Sequence, residues 1–220
     1  MARSGERRIP CGQRARPGLI FLILLLGLAG IPAGALPART DVVVLISANA
    51  EWKPVRVVLG HAAAETSPFG EFIAKTLDAR GRTRSVVYFH GGWGKISAAA
   101  SAQYAIGRWA PRLLVNLGTC GGFEGSVRAG DLLLVTKTVV YDIIEMMGDA
   151  DQAVADYTTA LDLAWLKKPF PEPVVQAPLV SADRDIQPAD IPALRTKFGA
   201  VAGDWESGAI AFTARTNGVP

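Results

Sequence analysis

The sequence predicts an α/β fold, and three features carry that prediction. Short β-branched apolar runs recur along the chain, each stopping at small, polar or glycine-rich residues. An alanine-rich segment of helical spacing lies between two of them, and no internal repeat competes with the alternation. At 220 residues, half of them hydrophobic, the chain can bury one sizeable core, so a single globular domain is expected over residues 39–220.

The elements follow in order. Asp41–Ile46 reads as a fully buried parallel strand that ends in a small, polar loop, and Ser85–Phe89 as a second that stops at His90-Gly91-Gly92. Ser97–Trp109, with Tyr104 and Ile106 at helical spacing and Pro111 just beyond, is a helix with a clear stop. Leu113–Leu117 is a third buried strand, broken at Gly118. Asp131–Val135 and Thr138–Tyr141 continue the sheet, whereas residues 148–178, with Pro169, Pro171, Pro173 and Pro178, read as a loop-rich excursion. Leu179-Val180 is a short strand, Ile191–Lys197 a helix, and Glu206–Arg215 a helix that Asn217-Gly218 ends. Val219-Pro220 begins a further element, so the sequence is expected to stop short of the fold's last strand and helix.

The first 38 residues stand apart. Arg3, Arg7, Arg8, Arg14 and Arg16 precede the apolar run Leu19–Leu26 and then Ala33-Gly34-Ala35, the order of a secretory signal peptide. The expected location is therefore outside the cytoplasm, periplasmic or secreted. An uncleaved membrane anchor is one alternative, although the run is short of the ~20 residues a span needs; a cytoplasmic protein is the other. Cys11 lies before the run and is not placed for lipidation. Removing the leader turns the formal net charge of +3 slightly negative, so the pI of about 9 gives no ground for nucleic-acid binding. Cys120 is then the sole thiol, which rules out an internal disulfide.

Open α/β sheets bind ligands at the carboxyl ends of their strands, and four such loops carry unusual residues. Ser47–Trp52 puts Glu51 at the mouth of the sheet, where an ordinary first-turn helix acid is the plainer account. His90–Lys95 opens onto a helix with Gly91, Gly92 and Gly94, which would let backbone amides approach a ligand. It half-matches a dinucleotide fingerprint, but Ser97 stands at the third glycine and no acid closes the next strand. Gly118–Phe123 adds a second glycine-rich strand end containing Thr119, Cys120 and Gly121. Cys120 has no basic neighbour in sequence and reads as a buried small residue, not a nucleophile. Finally, Asp204-Trp205-Glu206 precedes an alanine-rich helix. The acids could simply cap it, yet a carboxylate beside an indole also suits the vicinal hydroxyls and apolar face of a ribose. No metal or cofactor is expected.

At these residues the chain resembles the methylthioadenosine/adenosylhomocysteine nucleosidases of the nucleoside phosphorylase superfamily. Ser47–Trp52, Gly91–Lys95 with Ala98–Ala100, Asn116–Phe123 with Ala129–Val135, Ser181–Ile186 and Asp204–Ala211 fall in that family's order and approximate spacing. The resemblance runs from Asp41 to the last residue. It implies a three-layer α/β/α fold around a central mixed, mostly parallel twisted sheet, and a homodimer. It implies that Glu51 activates the attacking water and that Glu206 binds the ribose 2'- and 3'-hydroxyls. Trp205 stands in place of a methionine beside the sugar, and Gly91 where a serine often lies. Asp185 and Ile186 occupy the purine-lining stretch, where Phe-Ile is usual. Asp183 and Arg184 could instead form a local ion pair of little weight.

The implied reaction is hydrolysis of an adenine nucleoside such as 5'-methylthioadenosine or S-adenosylhomocysteine. The resemblance also implies an acid that protonates N7 of the adenine, an aspartate in a Ser/Thr-Asp pair on the strand after Val219. No acid within residues 1–220 matches it, so these residues alone are expected to be severely impaired, by roughly a hundred- to ten-thousand-fold. Two other readings remain open: a purine nucleoside phosphorylase, which the lack of arginine in Ser47–Trp52 disfavours, and a non-catalytic exported nucleoside-binding protein.

Overall fold

The computed structural model describes residues 39–79 and 81–220; the leader expected over residues 1–38 lies outside the described residues. Strand β1 (Val42–Ile46) shows why a continuous apolar run forms here. It pairs in parallel with β4 (Arg82–His90) on one side and β5 (Leu113–Asn116) on the other. Its side chains alternate between two buried faces. Val43 and Leu45 pack with Phe89, with Ala98, Ala102, Ala105 and Trp109 of helix α2 (Gly94–Trp109), and with Ala209 and Ile210 of α5 (Ser207–Thr216). Val44 and Ile46 pack with Ile73, Val86 and with Trp52 of α1 (Asn49–Val58). Full burial of residues such as Leu45 and Phe89 stabilises the fold by about 1.5–3 kcal/mol each. The alanines of α2 bring that helix close against the sheet, and Trp52 docks α1 while its Nε1–H donates to Glu71 Oε2 at 3.0 Å.

The α/β class and the flanking helix layers agree with expectation, but the strands form two five-stranded sheets. The first has the order β2-β3-β4-β1-β5, with β2 (Glu65–Thr66) and β3 (Glu71–Ala79) antiparallel. The second has the order β6-β10-β9-β7-β8. Its centre is parallel: β7 (Leu132–Val140), β9 (Val174–Ser181) and β10 (Ala202–Asp204). The short β6 (Gly121–Gly122) and β8 (Thr158–Ala160) are antiparallel edges. Phe123, Val139, Val180 and Leu194 form its core against α3 (Ala150–Asp156) and α4 (Ile191–Phe198).

Several boundaries differ from the sequence reading. The two strands expected around residue 136 are one strand, with a bulge between Val135 and Lys137 that re-registers it on β9. The excursion at 148–178 contains α3, β8 and the start of β9. Asp149 nucleates α3, its Oδ1 accepting from the Asp151 and Gln152 amides at 3.0 Å. Val219-Pro220, expected to open a new element, runs beside β5, where the Leu114 N–H donates to the Pro220 carbonyl at 2.8 Å.

Candidate active site

Glu51 sits in the first turn of α1, and the structure gives it two roles at once. Oε2 accepts from the Ala48 N–H at 3.1 Å, so the carboxylate caps its own helix. Oε1 accepts from the Thr119 N–H at 2.6 Å and from Thr119 Oγ1 at 2.8 Å, which ties it to the loop after β5. The close approach requires Gly118, where a Cβ would lie 2.9 Å from Glu51 Oε1. The glycine of this loop thus makes room for an acid from a neighbouring loop.

Glu206 enters from the second sheet, between β10 and α5. Its Oε1 accepts from the Gly94 N–H at 2.9 Å. Burial pushes its carboxyl above the usual glutamate range; the Asp204 and Glu51 charges act in the same direction, and the Gly94 amide opposes them. Asp204 accepts from the Ser207 N–H at 3.1 Å and from the Ser207 hydroxyl, and burial pushes its carboxyl up as well. Trp205 stacks on Trp93 across the cleft mouth, centroids 4.5 Å apart and planes 17° from parallel.

These groups open onto one cavity of about 560 Å³, a size suited to a nucleoside. Glu51, Thr119 and Glu206 make its polar wall. Trp205, Phe123 and Ile186 supply apolar surface, with Asp185, Cys120 and Gly121 also lining it. Gly203 lets Ile186 reach the floor, since a Cβ there would lie 2.2 Å from Ile186 Cδ1. Arg184 is the cation on this wall among the described residues, and it is engaged with Asp190 at 2.5 Å.

Other candidates fall elsewhere. Gly91 lines an adjoining compartment of about 390 Å³ with Ser47, Asn49, His90 and Trp93. Gly92 faces Ser97, where a Cβ would lie 2.1 Å from Ser97 Cβ, so its small size serves helix packing. Cys120 is exposed where a buried residue was expected, because its loop lines an open cleft. Protein around the thiol pushes its pKa up by desolvation, helped by Asp204 and Glu51, which disfavours a thiolate. Arg184 pairs with Asp190, not with Asp183, whose carboxylate accepts from the Lys95 N–H at 2.7 Å. Sequence reasoning missed Trp93 and Phe123; only the distance between glycine-rich loops in space makes them neighbours of the site.

Comparison with known proteins identifies the family. The family model described as phosphorylase superfamily matches residues 43–220. A 5'-methylthioadenosine/S-adenosylhomocysteine nucleosidase from Maridesulfovibrio salexigens is 31% identical over 169 residues, covering 71% of this chain and 72% of the relative. One from Anoxybacillus flavithermus is 36% identical over 72 residues, 33% of this chain and 29% of the relative, so that alignment spans less than a third of the relative's length. Among solved structures, the Neisseria meningitidis nucleosidase in complex with methylthio-immucillin-A has a TM-score of 0.65 at 24% identity, covering 82% of each chain. The Helicobacter pylori futalosine hydrolase mutant has a TM-score of 0.63 at 15% identity, covering 82% of this chain and 86% of that one, a likeness of fold. With a family match over most of its length and a relative aligned over two thirds of both chains, this chain belongs to the phosphorylase superfamily, in the group that holds the 5'-methylthioadenosine/S-adenosylhomocysteine nucleosidases.

Proposed function

We propose that the protein is a nucleosidase that hydrolyses the N-glycosidic bond of adenine nucleosides such as 5'-methylthioadenosine or S-adenosylhomocysteine, releasing adenine. The observation that carries this reading is the convergence of Glu51 and Glu206, from different sheets, on one nucleoside-sized cleft. Cleavage at C1' passes through an oxocarbenium-like state, so the site must hold the sugar and deliver a nucleophile to it. Glu206, fixed by the Gly94 amide, is the acceptor for the vicinal ribose hydroxyls, and the Trp205 indole covers the sugar. Glu51, held by Ala48 and Thr119, takes the proton of the attacking water. Phe123 and Ile186 flank the purine, with Asp185 at the same wall. Phosphorolysis is disfavoured because the cleft's cation, Arg184, is already engaged by Asp190.

The test is adenine release from methylthioadenosine and adenosylhomocysteine with and without phosphate, alongside Glu51→Gln. Hydrolysis requires phosphate-independent release and a fall in kcat of about a hundredfold or more in the variant, with nucleoside affinity retained. Phosphate-dependent turnover would reassign the reaction, and nucleoside binding without turnover in a chain that also carries the Ser/Thr-Asp pair would make the protein a nucleoside binder. The same reading places the enzyme outside the cytoplasm, on the strength of the leader-like residues 1–38, and an N-terminus near residue 36 in the exported fraction would support it. It also makes the protein a homodimer, for which the exposed Ile144, Met146 and Met147 offer an apolar contact, measurable by light scattering.

A further inference from the structure

The N-terminus of α2 is capped from the other sheet. A helix leaves its first amides without intrahelical partners, and the residue in the N-cap position, Trp93, has no side-chain oxygen to offer them. Two carboxylates supply what it lacks. Glu206 accepts from the Gly94 N–H at 2.9 Å, and Asp183, just past the end of β9, accepts from the Lys95 N–H at 2.7 Å. Asp183 is itself held, its N–H donating to Asp142 Oδ2 at 3.1 Å. Asp142, just past β7, also forms an ion pair with Lys95 Nζ; the two side chains are 17% and 19% exposed, and so largely removed from water. Lys95 is thus anchored to the second sheet through both its backbone and its side chain. Gly94, at φ +81°, lies between this anchor and the sugar-site glutamate, and a Cβ there would be 3.2 Å from Asp183 Oδ1.

We infer that Asp183, with Asp142 behind it, is a positioning residue for sugar binding: it fixes Lys95 and hence the Gly94 amide that aims Glu206 into the cleft. The inference rests on the proposed role of Glu206. Adjacent amides on one rigid helix turn cannot move independently, so releasing the Lys95 amide loosens the Gly94 amide with it. Helix polarity favours a carboxylate at each amide.

The test separates positioning from mere support of the fold by comparing adenosine with adenine, which lacks the ribose that Glu206 would hold. Calorimetric titration of Asp183→Ala, with every chain also carrying Glu51→Gln so that adenosine is not cleaved, should show adenosine bound about tenfold more weakly, the loss expected when a hydrogen bond to a charged group is removed. Adenine affinity should stay within about twofold, since its contacts are elsewhere. Asp183→Asn, which keeps an oxygen acceptor for the Lys95 amide, should restore adenosine binding to within about threefold. In the ligand-free protein, hydrogen exchange at the Gly94 amide should quicken in Asp183→Ala and return towards the original rate in Asp183→Asn. Should Asp183→Ala fail to fold, Asp142→Asn tests the same clamp through Lys95 and should selectively weaken adenosine. Equal loss of adenosine and adenine, or an unchanged Gly94 exchange rate, overturns the inference. If the unsubstituted protein binds adenine but gains nothing from the ribose, the sugar role of Glu206 fails instead, while Gly94 exchange still reports on the clamp.

Discussion

Replacing Gly118 by alanine should damage the chemistry while sparing the fold. The glycine does not occupy the left-handed region, so its backbone accepts an L side chain. The added Cβ would lie 2.9 Å from Glu51 Oε1, 3.1 Å from Oε2 and 3.2 Å from Cδ. Relaxing these to ordinary van der Waals separation moves the carboxylate by about 0.5 Å. Oε1 is the atom on which the Thr119 N–H and hydroxyl converge, at 2.6 and 2.8 Å, so the shift strains both bonds and displaces the carboxylate that the proposed mechanism uses as its base. A misplacement of about 1 Å costs on the order of a hundredfold in rate, and half of that suggests about tenfold, or about 1.4 kcal/mol in the barrier. The displaced group is the free end of a side chain bordering an open cleft, so the melting temperature should fall by less than about 2 °C. Steady-state kinetics on methylthioadenosine and a thermal melt, each relative to the unsubstituted chain, provide the measurement. A kcat within twofold of the original refutes the argument that Gly118 sets the position of Glu51. A fall in kcat joined to a melting-temperature loss above about 5 °C would place the effect in packing.

Glu206 should impose an acid limit on substrate binding. In the proposed mechanism only its ionised form accepts from both ribose hydroxyls, and burial raises its carboxyl above the usual value of 4.5. KM should therefore begin to climb, as pH falls, at a higher pH than an ordinary glutamate would give. Glu206→Gln should raise KM by about tenfold or more and abolish that dependence; an unchanged acid limb in the variant would assign it to another group. By linkage, the raised value also means that the glutamate's contribution to stability is full below its unfolded pKa and is lost as pH rises through its folded one. Gly208→Ala probes the seat of α5: a Cβ there would lie 2.5 Å from Val140 Cγ2 and 2.9 Å from Ser181 Cβ, both in the second sheet. Overpacking of this kind costs about 1–3 kcal/mol, which corresponds to a drop of about 2–12 °C in melting temperature. An unaltered melt would show that the helix can ride away from the sheet at no cost.

Local pattern revealed the strands whose two faces are both buried, because burial on both sides leaves an uninterrupted apolar run such as Val42–Ile46. It missed β3, where Ala74, Thr76, Leu77 and Asp78 are all exposed and leave no two-residue alternation, and it read no more of α1 than a first turn at Glu51, because Pro54 and the exposed Val57 and Val58 blur the helical stripe. Helix α3, which the Asp149 cap starts, went unread because it heads a stretch whose prolines at 169, 171, 173 and 178 make the whole read as loop.

The candidate site divides in the same way. Which residues are candidates for the chemistry was visible in the chain, because Glu51 and Glu206 stand at strand ends where an α/β sheet binds ligands. That they share a cleft was settled by tertiary structure, since they belong to loops more than 150 positions apart, tethered through Thr119 and Gly94. The glycines make the same point from the other side. Gly118 and Gly203 are required by an acid and an isoleucine from distant loops, whereas Gly92 only makes room for its own helix. Sequence records a residue's size and charge; the atoms it must fit against come from chain segments that meet only when both sheets have formed.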